Sequence, residues 1–265
     1  MLGKLLKYEL KSTSKFFIPM YLVILGMCIL NGFFMISESA VVGQKIVVSI
    51  IGALLVALVT LTIIVCINRF RKNLLGDEGY LMFTIPVKTY KIILSKYICS
   101  ILWITSTFLV TSISYFILML QQASSIGVIY GDGVTLYLDD KIISFTELTQ
   151  TNKDFIVIFF VLILIMSLIS VIIFIVYNSL AIAQLPIFNK YKNIASILIF
   201  LFFNIIIKGI NTIINGSGPR PDISNLEFIG AFTKVMTIGI LQNLFIIIIL
   251  FITLNYTLTK KLNLD

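Results

Sequence analysis

Six stretches of the chain stay apolar for at least the roughly 20 residues that a helix needs to cross about 30 Å of hydrocarbon. They cover residues 16–36, 46–68, 96–120, 155–180, 194–215 and 236–258. Lipid offers the peptide group no hydrogen-bond partner, so each run must pair its N–H and C=O groups internally and is expected to be helical. Composition leads to the same place. Of the 265 residues, 59% are hydrophobic and only 12% charged, about half the charged share of a soluble domain. The expectation is an all-α polytopic membrane protein, one transmembrane domain over residues 1–265, with six transmembrane helices.

The placement of lysine and arginine sets the orientation. Along the alternating path of six spans, fourteen of the twenty fall on one side, in residues 1–15, 69–91, 184–193 and at Lys96, Lys260 and Lys261. Lys45, Lys141, Lys153, Arg220 and Lys234 fall on the other, and Lys208 lies within a span. Lysine and arginine accumulate on the cytoplasmic side, so the topology expected is N-in/C-in, both termini cytoplasmic, in a multi-pass protein of the cell membrane. The net charge of +8 is therefore a matter of topology. Nucleic-acid binding would need basic residues gathered on a soluble face, and no nucleic-acid partner is expected.

The segments between spans differ in character. Residues 1–15 place Leu2, Leu5, Leu6 and Leu10 on one helical face and Lys4, Lys7 and Lys11 on another, the pattern of an N-terminal interfacial amphipathic helix in contact with membrane lipid. The outer segment 121–154 is the largest and acidic. After Gly131-Asp132-Gly133 it runs Val134-Thr135-Leu136-Tyr137-Leu138 in alternation, which predicts a small hairpin. The inner segment 184–193 is short enough for a helix-to-helix turn. Gly216-Ser217-Gly218-Pro219-Arg220-Pro221 ends the fifth helix.

Chemistry on this chain is sparse. Histidine is absent, and Cys28, Cys66 and Cys99 stand alone in apolar runs, so neither a metal site nor a disulfide framework is expected. The acidic residues all lie outside the six spans, which leaves no intramembrane carboxylate pair. The phosphate-cradling G-x-x-x-x-G-K-[ST] does not occur. No catalytic residue is assigned and no cofactor is expected in this chain itself. Within the spans, Asn204, Lys208, Asn211 and Asn215 are four, three and four apart and share one helical face. That stripe could line a translocation path or a subunit interface; alternatively Lys208 snorkels and the asparagines bridge helices. Thr107, Thr111 and Ser114, and further on Tyr177, Asn178, Ser179 and Gln184, read as packing residues.

The inner segment 69–91 is different. It opens with Arg69, Arg71 and Lys72, turns acidic at Asp77 and Glu78, and then presents Tyr80, Leu81, Met82 and Phe83 in a row. A plain connection has no need of aromatic and aliphatic side chains, so a soluble partner is expected to cover them. The run Asn73-Leu74-Leu75-Gly76-Asp77-Glu78-Gly79-Tyr80-Leu81-Met82-Phe83-Thr84-Ile85-Pro86-Val87 resembles the segment after the second span in bacterial ABC transporter permeases. These are six-helix subunits of the type-2 (ABC exporter) class, common in Firmicutes. Leu5-Leu6-Lys7-Tyr8-Glu9, Ala181-Ile182-Ala183-Gln184-Leu185 and Lys260-Lys261-Leu262-Asn263-Leu264 agree with it.

The resemblance implies a permease of the bacterial plasma membrane paired with a second copy or a paralogous permease. It also implies a cytosolic ABC ATPase dimer that carries the ATP and Mg. It further implies that residues 69–91 hold a cytoplasmic coupling helix between spans 2 and 3. ATPase contacts would then fall on Asp77, Glu78, Gly79, Tyr80, Leu81, Met82, Phe83 and Pro86. The expected function is export of a peptide, drug or amphiphile. The alternative is a non-transporting membrane scaffold or sensor whose same segment docks a soluble regulator.

Overall fold

The apolar runs do become helices, and most are longer than the bilayer requires. A computed structural model describes residues 2–35, 41–75, 88–125, 135–138, 141–144, 152–216 and 228–260. In chain order these form α1 (Leu2–Met35), α2 (Val41–Leu75), α3 (Thr89–Ser125), strands β1 (Thr135–Leu138) and β2 (Lys141–Ser144), α4 (Asn152–Ala183), a 3-10 turn (Pro186–Tyr191), α5 (Lys192–Gly216) and α6 (Phe228–Lys260). Among the described residues, six helices are long and apolar enough to span a membrane. The chain is built as a multi-pass membrane protein.

Helix ends depart from the spans read off hydropathy, because hydropathy marks where lipid begins and not where backbone pairing stops. α1 is one helix of 34 residues, so the amphipathic segment 1–15 and the first span are continuous. Pro19 sits inside α1, where it withdraws one N–H without ending the helix. α2 and α3, of 35 and 37 residues, rise to about 50 Å or more at 1.5 Å per residue. Each therefore overruns the hydrocarbon by several turns. The hairpin expected in residues 121–154 is present. β1 and β2 are antiparallel, with Thr135 opposite Ser144 and Leu138 opposite Lys141.

The chain divides into two compact units. One comprises residues 1–66 with 98–152, the other 67–97 with 153–265.

In the first unit, α1 and α3 are joined by polar side chains at successive levels. The Trp103 indole donates to Thr13 Oγ1 at 2.7 Å, and its ring stacks on Phe17 at 4.4 Å between centroids. The Tyr21 hydroxyl is 2.9 Å from both Ser106 Oγ and Thr107 Oγ1. Asn31 donates to Gln121 Oε1 at 2.8 Å, and Gln121 donates onward to the Cys28 carbonyl at 2.8 Å. Gly32 makes that approach possible, since a Cβ there would lie 3.0 Å from Gln121 Nε2. These contacts advance in the same direction along both helices, so α1 and α3 run parallel, as two helices separated by one return crossing must. α2 joins them through Thr62, 3.0 Å from Thr107 Oγ1, and through the apolar cluster of Ile24, Cys28, Ile51 and Leu58.

The second unit repeats the device between α4 and α6. Gly239 brings α6 against Leu164, whose Cδ1 would lie 3.2 Å from a Cβ. Asn243 donates to Ser167 Oγ at 2.9 Å and Asn178 to the Leu250 carbonyl at 2.9 Å. Here too the contacts ascend together, and α4 and α6 run parallel. With no hydrophobic drive between helices in lipid, small residues and such hydrogen bonds carry the association.

Tyr21→Phe removes the hydroxyl that joins α1 to Ser106 and Thr107. The expected cost is about 1 kcal/mol, the scale of interhelical hydrogen bonds in membranes, read as a lowered midpoint in detergent unfolding. An unchanged midpoint would mean that the two α3 hydroxyls pair equally well without it.

Candidate functional site

The strongest sequence signal, Asp77, Glu78, Gly79, Tyr80, Leu81, Met82, Phe83 and Pro86, lies outside the described residues. The helix ends that bracket it are described, and they are the informative part. Residues 69–75 and 89–95, expected to be connection, are helical. They also pack well. Phe70 and Leu74, one turn apart, are fully buried, and Leu75, Ile92, Ile93, Ser95 and Lys96 are buried as well. Farther back along α2 the situation reverses, with Val56, Val59, Leu61, Ile63 and Ile64 exposed as suits a lipid-facing span.

α4 is what these ends pack against. The Phe70 ring lies flat on Tyr177, with centroids 3.9 Å apart and planes within 8°. Tyr97 stacks on Phe174 at 4.6 Å and donates its hydroxyl proton to Ser170 Oγ at 2.8 Å. Ser170 donates its own proton to the Met166 carbonyl at 2.7 Å, which leaves its lone pairs to Tyr97. Ser170, Phe174 and Tyr177 are spaced four and three, so one stripe of α4 receives both ends. Each aromatic pair is worth about 0.5–1.5 kcal/mol beyond the area it buries.

The next residue carries the linkage across α4. Asn178 is fully buried. Its amide nitrogen donates to the Phe174 and Leu250 carbonyls, both at 2.9 Å, and its oxygen accepts from Thr253 Oγ1 at 2.9 Å. Phe174 meets Phe251 edge-on at 6.0 Å. A displacement of the α2 or α3 end thus has a close-packed route through α4 into α6. At the same end of this unit, Arg71 Nη2 donates to Asn193 Oδ1 at 2.8 Å, which brings the end of α2 beside the start of α5.

The polar stripe of α5 is covered only in part. Asn204 and Lys208 are exposed, and the Asn204 amide turns back onto the Phe200 carbonyl at 2.7 Å. Asn211 is half-buried and accepts from the Gln242 amide of α6. The backbone of Asn215 belongs to the last turn of the helix, and its side chain is outside the described residues. Steps of four, three and four residues stay within about 60° of one helical face, and α6 meets that face at Asn211. The stripe therefore contains one helix-bridging member and two outward-facing ones.

Several buried polar groups escape a reading of the sequence. Glu9 and Lys96 are 8% and 3% exposed, and both are engaged in interactions. Glu9 does leave a signal, because it interrupts the stripe of Leu2, Leu5, Leu6, Leu10 and Thr13 that the structure turns inward, while Lys4, Lys7 and Lys11 stay exposed. Lys96 carries no such mark, since it looks like an ordinary basic flank of a span. Thr107, Ser114, Tyr177, Asn178 and Ser179 are buried, in keeping with their reading as packing residues.

Comparison with known proteins brings no match, whether against family models, curated proteins or solved structures.

Asn178→Leu keeps the branched shape, though bulkier, and loses two hydrogen bonds across the α4–α6 contact and one within α4. The expected loss is about 1–2 kcal/mol, visible in detergent denaturation. A substitution without effect would show that apolar packing alone holds these two helices.

Proposed function

We propose that the chain is the transmembrane subunit of an ATP-driven exporter in the bacterial plasma membrane, with both termini cytoplasmic. The 69–91 segment then holds the coupling helix that docks a cytosolic ABC ATPase dimer. In this reading Gly79, Tyr80, Leu81, Met82, Phe83 and Pro86 contact the ATPase, where the aromatic and aliphatic side chains fill a cleft, and Asp77 and Glu78 meet basic residues of the partner. ATP and Mg are bound and turned over on the partner, and the substrate is a peptide, drug or amphiphile moved outward.

The observation that carries this reading is the seating of both ends of the 76–87 segment on one stripe of α4. A connection with loosely packed ends would absorb a push from a partner. Ends fixed by the Phe70–Tyr177 and Tyr97–Phe174 stacks pass it on, because packed cores shift between discrete arrangements and do not deform smoothly. Asn178 would carry the movement into α6. A second copy, or a paralogous permease, completes the path. The exposed Asn204 and Lys208 of α5 support that pairing, since polar side chains inside a span usually face protein or water.

The deciding experiment is copurification from native membranes. The tagged chain is expected to bring down a P-loop ATPase with nucleotide turnover. Tyr80→Ala with Phe83→Ala should abolish that capture while the membrane domain keeps its unfolding midpoint. Capture that survives the double substitution removes the docking assignment, and a captured partner without nucleotide turnover favours the scaffold or sensor reading.

Asn204→Leu with Lys208→Met tests the α5 face separately. Transport is expected to fall about tenfold, the scale of one interhelical polar contact, with ATPase capture unaltered. Unchanged transport would return both residues to a lipid-facing role.

A further inference from the structure

The hydrogen bond between Arg71 and Asn193 brings the end of α2, which carries Lys72, beside the start of α5, which carries Lys192. We propose that Arg71, Lys72 and Lys192 form a binding site for the phosphate of an anionic phospholipid headgroup, where the end of α2 meets the start of α5. The proposal rests on the spans and this contact alone, and is independent of the exporter reading.

Arg71 is exposed, and the group it donates to is a neutral amide. The bond fixes the guanidinium without cancelling its charge and leaves further N–H groups of its fork for the bidentate geometry that phosphate favours. Lys72 and Lys192 each stand one residue from a member of that bond, and both are exposed. They are also the last residue of the candidate α2 span and the first of the candidate α5 span, where charged flanks of spanning helices ordinarily meet headgroups. The charge balance is one-sided. Segments 69–91 and 184–193 together contain seven lysines and arginines against two acidic residues, Asp77 and Glu78.

The neighbouring apolar surface selects lipid over a soluble phosphate. Ile187, in the 3-10 turn that leads into α5, is 82% exposed, and Tyr191 is 60% exposed. An aliphatic and an aromatic side chain beside a row of cations form the pattern of an interfacial anchor, in which the rings and chains enter the acyl boundary while the cations hold the headgroups. Juxtamembrane lysines and arginines attract anionic leaflets in this manner. Ile194, Ile197 and Leu198 continue the exposed apolar face along α5, where acyl chains can follow.

The experiment uses the full chain in mild detergent, with dioleoyl phosphatidylglycerol or dioleoyl phosphatidylcholine added and retained lipid counted by native mass spectrometry. Phosphatidylglycerol is expected to be retained in preference. Lys72→Gln with Lys192→Gln should weaken its retention by about thirtyfold. Lys45→Gln with Lys234→Gln, an equal loss of charge elsewhere, should leave it unchanged. Equal retention of both lipids, or equal weakening by both double substitutions, overturns the site. So does displacement of the lipid by millimolar inorganic phosphate, which would assign the cations to a soluble anion. If the Lys72/Lys192 pair leaves lipid retention intact but abolishes capture of a soluble protein, the surface belongs to that protein and the lipid site is withdrawn.

Discussion

In the second unit the ends of α2 and α3, together with α6, are held against α4. Its mean hydropathy is 3.3 over the span and a third of that window is buried, the highest values among the six. That burial depends on specific side chains. Ser170, Phe174 and Tyr177 take the ends of α2 and α3, and Asn178 holds α6. In water, such packing would be driven by removal of apolar area from solvent. In lipid that drive is absent between helices, and what remains is dispersion, ring stacking and the advantage of paired over unpaired polar groups. The aromatic stacks and the Asn178 amide are therefore the interactions that give the bundle its shape, where an equally greasy set of leucines would give only solubility in the bilayer.

The same constraint explains why the exposed surface is so apolar. Ile205 and Ile213 are 69% and 75% exposed on α5, and Leu241 and Phe245 are exposed in the same way on α6. On a soluble protein these would be errors or docking patches. On a spanning helix they are the ordinary outer wall. Polar side chains on that wall are the informative exceptions. Asn204 lowers its own desolvation penalty by bonding to the Phe200 carbonyl, a local solution that any asparagine in a helix can adopt.

Much of the fold is legible in the sequence because hydropathy and charge placement act at long range along the chain. The six helices, the hairpin around Thr135–Leu138 and the turn at Pro186 all emerge from pattern. What escapes is anything decided by which face meets which. The leucine face of residues 2–10 reads as a lipid face, yet the structure half-buries it around Glu9, Thr13 and Phe17. The Asn204–Asn215 stripe looks uniform by spacing, but its environment is not, with Asn211 bonded to Gln242 of α6 and Asn204 and Lys208 exposed. Hydropathy sets the second span to end at Asn68 and the third to start at Lys96, while the helices run on to Leu75 and begin at Thr89. The residues between are polar enough to resemble loop, while their apolar members, Phe70, Leu74, Ile92 and Ile93, pack in protein. The candidate docking residues are visible for the opposite reason: a run such as Tyr80 to Phe83 has no use within a plain connection.

Trp103 gives the molecule a built-in optical label. It is the sole tryptophan of the chain, stacked on Phe17 and hydrogen-bonded through its indole to Thr13. Near-ultraviolet emission excited at the red edge of protein absorption therefore comes from one contact between α1 and α3, with tyrosines silent. A spectral change on adding a ligand or lipid to the purified chain would localise itself without any engineered dye, because there is no second indole to confuse the signal.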